Sequence, residues 1–388
     1  MEKSSTRLRV GFVGCGRATQ NLHLPGFRHL TDWQVIAAAD SDAARLNVTA
    51  NRFGISRRYQ DYQPLLADPD VDVVAVCVPP RLHAEVSLAA LAAGKHVFIE
   101  KPLAVSLGEC DQLLEQAAHS PRKVMMGFNL RWHRLIRRSR KMIQDGALGE
   151  LELIRTAFTT GGRLQTGSPE WSSWRSPGGG VLLDLGVHHF DLWRYLTGAE
   201  VEEISAMSHS RDSGGQSAMV TARMDNGLLV TSVFSDQTTE GNELEICGRK
   251  GSIRVSSYRF DGLEFVTAPG SFGGFQRFPS KLLATLREIP RAMARVSRGG
   301  EFRYTYEAEW RAFAHSIRSD TPVECTLEDG RRAVQISLAA LASDSESRAV
   351  KVSESPNKSA EAPARPSAGE VGGLVQTAKD LLSGAREL

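Results

Sequence analysis

The chain has 388 residues, 41% of them apolar and 24% charged, which is typical of a globular protein long enough for two domains. Its net charge of +2 gives no reason to expect nucleic acid as a partner, and no apolar run is long enough to predict a membrane span. The five cysteines are widely spaced without a C-x-x-C pair and the N-terminus lacks the pattern of a secretory signal, so we expect a cytoplasmic protein without a disulfide framework or zinc site.

Strand-like and helical patterns alternate through the first third of the chain. Each strand-like run is short and apolar, and the helical runs between them end at Gly54 and Gly94. Strict alternation of this kind predicts an α/β fold with a doubly wound parallel sheet and right-handed crossovers, over residues 1–128. The predicted strands cover residues 8–13, 35–39, 71–78, 96–100 and 124–128.

A glycine loop follows the first predicted strand. It reads Gly14-Cys15-Gly16-Arg17-Ala18, with Thr19 where the dinucleotide-binding pattern has Gly or Ala. Gly14 allows a tight turn, and Gly16 lets the backbone approach a pyrophosphate. The loop therefore indicates a dinucleotide site, although an ordinary turn between strand and helix has the same local pattern.

Asp40 ends the second predicted strand. It comes after the glycine loop at about the separation expected for the acid that binds a ribose 2′-hydroxyl. Because a carboxylate there would repel a 2′-phosphate, we expect NAD rather than NADP as the cofactor.

Lys101 ends another predicted strand and is followed by Pro102, which fixes the turn. Ligands of doubly wound sheets bind at the carboxyl ends of the strands, so Gly14, Asp40, Pro79, Glu100 and Lys101 should share one edge. A lysine there can bind a substrate hydroxyl or stabilise a developing alkoxide, whereas the alternative is a solvated loop lysine.

The pattern changes after residue 128. A basic helical run at 135–143 and a strand at 151–158 precede a loop at 168–180, and evenly spaced strand-like runs follow from residue 203. Asn226-Gly227 is a hairpin signal. This half predicts an α+β domain with a mostly antiparallel open sheet and helices on one face, over residues 129–352.

Asp184, His188 and Asp191 lie at helical spacing within a predicted helix at 181–196. On one face, the two carboxylates would hold the imidazole in one tautomer and raise its basicity, as a general base requires. A buried structural cluster is the alternative. The set could also bind a metal, but too few further ligands stand out, and we predict none.

Together these motifs resemble the glucose–fructose oxidoreductase / inositol dehydrogenase / rhizopine catabolism (Gfo/Idh/MocA) family. The resemblance rests on Gly14-Cys15-Gly16, Glu100-Lys101-Pro102, Gly178-Gly179-Gly180 and Asp184-x-Gly186-x-His188-x-x-Asp191, and it extends to about Val352. It implies an N-terminal Rossmann domain and a C-terminal α/β domain whose open sheet often forms the subunit interface, hence a homodimer or homotetramer. The implied activity is NAD-dependent oxidation of a secondary alcohol of a sugar or cyclitol, or the reverse reduction.

The resemblance also implies roles for individual residues. Lys101 would polarise the reacting oxygen, His188 would accept or donate the proton, and Asp184 would orient His188 or assist the proton relay. Substrate contacts are expected from His188 and, in the loop region, from Arg131, Trp174 and Arg175. Cofactor contacts are expected from Gly14, Cys15, Gly16, Arg17, Ala18, Asp40, Pro79, His83, Glu100 and Lys101.

Two other functions remain compatible with the sequence. One is an enzyme that retains NAD and cleaves glycosides by transient oxidation; the other is a non-catalytic NAD-binding protein. Lys101, Asp184 and His188 together favour the dehydrogenase. The remaining segment, 353–388, is rich in Ser, Pro, Ala and Glu and predicts a disordered tail with a short terminal helix.

Overall fold

The computed structural model describes most of both predicted domains. The described residues are 7–161, 173, 176, 179–210, 215–259, 261–267, 286, 289–290, 293–294 and 300–354. Trp174, Arg175, Gly178 and nearly all of the predicted tail lie outside these ranges.

The first sheet has six parallel strands in the order β3-β2-β1-β4-β5-β6. This order confirms the doubly wound sheet. The short strand β3 was not predicted, because its sequence, Arg-Arg-Tyr, has no apolar pattern. The strands are β1 (Leu8–Val13), β2 (Trp33–Ala39), β3 (Arg57–Tyr59), β4 (Val73–Val76), β5 (His96–Glu100) and β6 (Val124–Gly127).

Helices cover both faces of this sheet, so all four residues of β4 are buried. Helix α2 begins where the Asp42 carboxylate accepts a hydrogen bond from the Arg45 backbone, and it ends at Gly54, whose φ is +68°. A π-helical turn, Thr19–His23, precedes α1. The helices are α1 (Leu24–Phe27), α2 (Ala43–Phe53), α3 (Tyr62–Ala67), α4 (His83–Ala92) and α5 (Leu107–Ala118).

The second sheet has eight strands in the order β13-β12-β11-β7-β10-β9-β8-β14. Only the pairing of β7 with β10 is parallel among its recorded pairs, which confirms the predicted, mostly antiparallel sheet. The strands are β7 (Leu151–Thr159), β8 (Val201–Ser210), β9 (Gln216–Met224), β10 (Leu229–Ser235), β11 (Gly241–Gly248), β12 (Gly251–Ser256), β13 (Leu263–Thr267) and β14 (Val350–Lys351).

Burial alternates along the strands of this sheet. In β9, Ala218, Val220 and Ala222 are buried beneath helices, while Met219 and Thr221 point to the opposite, exposed face. The α-helices of this half of the chain for which the structure gives both ends are α6 (Arg134–Gln144), α7 (Val187–Thr197), α8 (Gly300–Arg318) and α9 (Leu327–Glu346).

Helix α8 returns to the first domain. Trp310 stacks on Phe98 of β5 with ring centroids 4.4 Å apart, and Trp33 of β2 donates to its carbonyl oxygen at 3.0 Å. Although α8 lies within the predicted second domain of 129–352, its apolar face therefore packs in the core of the first sheet. This packing ties the two halves together close to the end of β5.

Candidate functional site

The glycine loop connects β1 to the π-helical turn. Gly14 has a φ of +96°, and a Cβ atom there would lie 2.4 Å from the carbonyl oxygen of Cys77, so only glycine fits. Beside Gly16, by contrast, no described residue other than its two neighbours in the chain has an atom within 4 Å of the position a Cβ would take. Thr19 donates to the carbonyl oxygen of Gly14 at 2.6 Å, which explains the departure at that position. The loop thus has a tight inner turn and an open outer side.

Asp40 lies beside this loop, as predicted. Its Oδ2 accepts a hydrogen bond from the backbone of Cys15 at 2.8 Å, and its Oδ1 accepts one from the backbone of Asp42 at 2.9 Å. Arg45 forms a bidentate ion pair with both oxygens. Burial opposes ionisation of Asp40, but the bonds from Arg45 and the backbone outweigh it and lower the pKa of the carboxyl.

The segments after β4 and β5 are joined by His83. Its Nδ1 lies 2.6 Å from the carbonyl oxygen of Pro102, and its Nε2 lies 2.8 Å from that of Val78. His83 is buried, and burial lowers its pKa. His83, which was predicted to approach the cofactor, thus supports the turns that carry Pro79 and Lys101 through contacts with their backbone.

Lys101 projects from the end of β5 towards the second domain. Its Nζ donates to Oδ1 of Asp184 at 2.5 Å and to the carbonyl oxygen of Asp184 at 3.0 Å. The lysine and the aspartate, 83 residues apart, thus form an ion pair between the two domains. Both side chains remain partly exposed, which leaves the pair open to a ligand.

His188 lies close to this pair but not between two carboxylates, so the predicted arrangement is wrong. Its Nδ1 is buried, and no residue that the structure describes forms a hydrogen bond with it. Burial, together with the positive charge of Lys101, lowers the pKa of His188 well below 6.5, whereas we expected raised basicity. The neighbouring His189 contacts Thr156 at 2.9 Å and Asn242 at 3.4 Å, and it faces away, as its position on the helix predicts.

The difference arises from the partners that the two carboxylates take. Residues Leu182–Gly186 form a π-helical turn, and α7 starts at Val187. Asp184 pairs with Lys101, and Asp191 pairs with Arg131, so neither carboxylate is directed to the imidazole of His188.

Asp191 pairs with Arg131, the predicted substrate contact. Arg131 donates to both oxygens of Asp191, at 2.7 and 2.5 Å, and also contacts Asp329 at the start of α9. Burial opposes the charge of Arg131, but Asp191 outweighs it and raises the pKa of the guanidinium. With these partners and little exposure, Arg131 has the contacts of a structural residue rather than of one that faces a ligand.

Sequence reasoning missed a buried polar cluster beneath Lys101, formed by Glu100, His23, Trp310 and Glu309. Glu100 accepts from the backbone of Lys101 at 3.1 Å and contacts Nε2 of His23 at 2.7 Å. Since the Trp310 indole can only donate, its 3.1 Å bond to Nδ1 of His23 makes Nε2 the protonated nitrogen, which donates to Glu100. Glu100 thus directs its carboxylate to protein groups and holds the backbone of Lys101.

Both halves of the chain match models of known protein domains. A family described as "Oxidoreductase family, NAD-binding Rossmann fold" matches residues 8–128, and the "GFO/IDH/MocA C-terminal domain" matches residues 136–254. Myo-inositol 2-dehydrogenase of Thermotoga maritima is 28% identical over 356 residues, 89% of this chain and 99% of that protein.

Two further proteins extend this likeness. Levoglucosan dehydrogenase of Pseudarthrobacter phenanthrenivorans is 34% identical over 296 residues, 66% of this chain and 74% of that protein. The crystal structure of a probable dehydrogenase from Thermotoga maritima has a TM-score of 0.72 at 26% identity and covers 90% of this chain and 100% of its own. The fold of this chain is therefore similar, over most of its length, to that solved structure.

Proposed function

The chain belongs to the Gfo/Idh/MocA oxidoreductase family, and from this we propose that it transfers a hydride between NAD and a secondary alcohol or ketone of a sugar, sugar derivative or cyclitol. The observation that carries the proposal is the meeting of Lys101 from the first domain with Asp184 and His188 from the second, at the edge where the glycine loop lies. A binding protein without chemistry has no need of a lysine, a carboxylate and a neutral imidazole at one edge.

The residues present fit NAD. The open side of Gly16 leaves room for a pyrophosphate, and Asp40 is a carboxylate beside the loop that can receive ribose hydroxyls. When bound, NAD supplies the acceptor or donor of the hydride. We assign the loop residues Gly14 to Ala18 and Asp40 to its binding, with Arg17 exposed on the loop as a charge for the phosphates.

Lys101 orients the substrate and stabilises its oxygen. Two of the three N–H groups of its ammonium are used by Asp184, and no residue within the described ranges takes the third, which can donate to a substrate oxygen. A fixed cation at an oxygen that gains negative charge stabilises the transition state more than the ground state. Asp184 holds this cation in position.

His188 serves as the proton acceptor in the oxidation direction. Its lowered pKa keeps the imidazole neutral near pH 7, so an unprotonated nitrogen is available to accept a proton. Since Nδ1 is enclosed, Nε2 is the nitrogen that a substrate hydroxyl can reach. In the reductive direction the same nitrogen returns the proton.

Three further features belong to this proposal. The exposed face of the second sheet carries Met207, Met219 and Leu229, which are 74%, 61% and 58% exposed, and this apolar surface supports a homodimer or homotetramer through the sheet. The five cysteines are free thiols, which fits a cytoplasmic location. In the part of the chain that the structure describes, we find no helix that is both long and apolar enough to span a bilayer.

The proposal is tested by incubating the protein with panels of polyols, uronates and nucleotide sugars and NAD or NADP while nicotinamide absorbance is followed. We expect net formation of NADH with at least one polyol or sugar, at a rate about 10²- to 10³-fold lower in the Lys101→Met variant. Glycoside cleavage without net NADH would favour the NAD-retaining alternative. Tight NAD binding without turnover of any compound would favour a non-catalytic protein.

A further inference from the structure

In the structure, every acceptor site of the Asp40 carboxylate is occupied by a group of this chain, so ribose hydroxyls can bind there only by displacing one of these groups. Oδ2 accepts from the Cys15 backbone at 2.8 Å and from Nε of Arg45 at 3.0 Å. Oδ1 accepts from the Asp42 backbone at 2.9 Å and from Nη2 of Arg45 at 2.9 Å. A carboxylate offers about four lone-pair sites, and all four are occupied by groups of this chain.

Only the two bonds from Arg45 can be exchanged. The Cys15 and Asp42 donors are backbone groups, fixed by the glycine loop and by the start of α2. The Arg45 side chain is 45% exposed, whereas that of Asp40 is only 7% exposed, so the guanidinium can move into water while the carboxylate stays. Arg45 presents one N–H to each oxygen of Asp40, which is the pattern that two neighbouring hydroxyls of a ribose would present.

We propose that Arg45 determines how the chain discriminates between NAD and NADP, an inference that rests on the proposed function. The ribose diol of NAD competes with Arg45 for the carboxylate of Asp40. A 2′-phosphate removes one hydroxyl of that diol and brings negative charge, which the guanidinium of Arg45 neutralises. Arg45 therefore lowers affinity for NAD, raises affinity for NADP, and makes the preference for NAD smaller than Asp40 alone would give.

The charges of Asp40 and Arg45 support the expected effect of Arg45, which is to favour NADP. A bare carboxylate would repel a phosphate dianion at this site, because two negative groups a few ångströms apart interact strongly in a partly buried environment. The bidentate ion pair cancels that field before the nucleotide arrives. The simpler alternative is that the pair only stabilises the first turn of α2, where Asp42 lies 3.7 Å from the same guanidinium. In that case the ratio of the two affinities would not depend on Arg45.

The test is isothermal titration of the full-length protein with NAD⁺ and with NADP⁺. Arg45→Met keeps the apolar stem and removes the donors. Arg58→Met is the matched control, since Arg58 also lies against α2 but bonds to the side-chain amides of Asn47 and Asn51 instead of a carboxylate. Thermal melting of each variant identifies loss of folding separately from loss of binding.

We expect Arg45→Met to bind NAD⁺ several-fold more tightly and NADP⁺ about tenfold more weakly than the wild type, as loss of one charge-assisted contact implies. Arg58→Met should leave both affinities within about twofold, which is below half a kcal/mol. A ratio of affinities that Arg45→Met leaves unchanged would overturn the inference while leaving the proposed function intact. Failure of the wild type to bind either nucleotide would overturn the proposed function instead.

Discussion

Lys101 and Asp184 join the two domains at the site: Nζ of the lysine lies 2.5 Å from Oδ1 and 3.0 Å from the carbonyl oxygen of the aspartate. Behind the lysine, its own backbone N–H is held by Glu100 at 3.1 Å. The side chain is therefore fixed at both ends, from the first domain through its backbone and from the second through its ammonium. Such a placement fits the catalytic role that we propose for the charge of Lys101.

We expect Lys101→Met to reduce kcat by about 10²- to 10³-fold, the range seen when one group that stabilises a developing oxyanion is removed. The affinity for NAD should stay within about threefold, since none of the assigned phosphate and ribose contacts is lost. Steady-state kinetics and isothermal titration measure the two effects separately.

Lys123→Met provides the matched control for this variant. Lys123 also makes one ion pair, 2.7 Å from Asp320, but it precedes β6 and so lies at the opposite edge of the same sheet. It should keep wild-type turnover. Equal turnover in Lys101→Met and Lys123→Met would remove Lys101 from the mechanism.

The adjacent histidines of α7 should behave differently when each is replaced by glutamine. His188→Gln removes the proposed proton acceptor and should lower kcat by about 10²-fold or more, with little change in the free energy of unfolding. His189→Gln should lower the free energy of unfolding by about 1–3 kcal/mol, because it breaks the buried contact with Thr156. Kinetics and urea denaturation of both variants make the comparison.

Each of these variants is the control for the other, since both change the same residue type in the same helix. Loss of turnover in His189→Gln at unchanged stability would transfer the catalytic role to His189. If His188→Gln kept full turnover, His188 would have no part in proton transfer.

Local sequence patterns were sufficient to predict much of the fold. Strands such as β4 were predictable because burial on both faces of a parallel sheet requires a continuous apolar run. Lys101 was predictable because a strand end followed by proline places it at the ligand edge. The pairing of Lys101 with Asp184 was not, since the two residues are 83 positions apart and come from different halves of the chain, so no local pattern connects them.

The cluster beneath Lys101 was hidden for a different reason. His23 and Glu100 are 77 residues apart, and His23 and Trp310 are 287 apart, so no periodicity or spacing connects them. Only the packing of α8 against the first sheet brings them together. Tertiary contacts of this kind have no local signal, whereas caps, turns and strand ends do.

Glu309 of this cluster should make stability depend on pH. Both of its oxygens are buried without a hydrogen-bond partner, and Oε1 lies 3.9 Å from Nδ1 of His23. Burial, reinforced by the negative charge of Glu100, raises the pKa of Glu309 well above 4.5. The folded protein then keeps a proton that the unfolded chain releases above a pKa of about 4.3, so its stability falls as pH rises towards the folded pKa.

We expect Glu309→Gln to remove this dependence, so that its stability relative to the wild type increases from pH 5 to pH 8, by up to about 1.4 kcal/mol per pH unit. Urea denaturation at four pH values measures the difference. Glu115→Gln, at an exposed site on α5, is the control and should follow the wild-type profile. Parallel profiles for wild type and Glu309→Gln would show that the carboxyl is ionised in the folded protein.

The exposed face of the second sheet should hold the subunits together. Met219 of β9 lies opposite Met207 of β8 and Val233 of β10, so its side chain is at the centre of an apolar surface that no described residue covers. Met219→Glu puts a charge there. In a symmetric interface each of the two subunits would bury one such carboxylate without a partner, which should dissociate the oligomer. Sedimentation velocity of wild type and variant measures the change in mass.

Val48→Glu is the control for this variant. Val48 is similarly exposed, at 59%, but it lies on α2 of the first domain, so its replacement should leave the mass unchanged. An oligomer that survives Met219→Glu, or a wild type that sediments as a monomer, would exclude this face as the subunit interface.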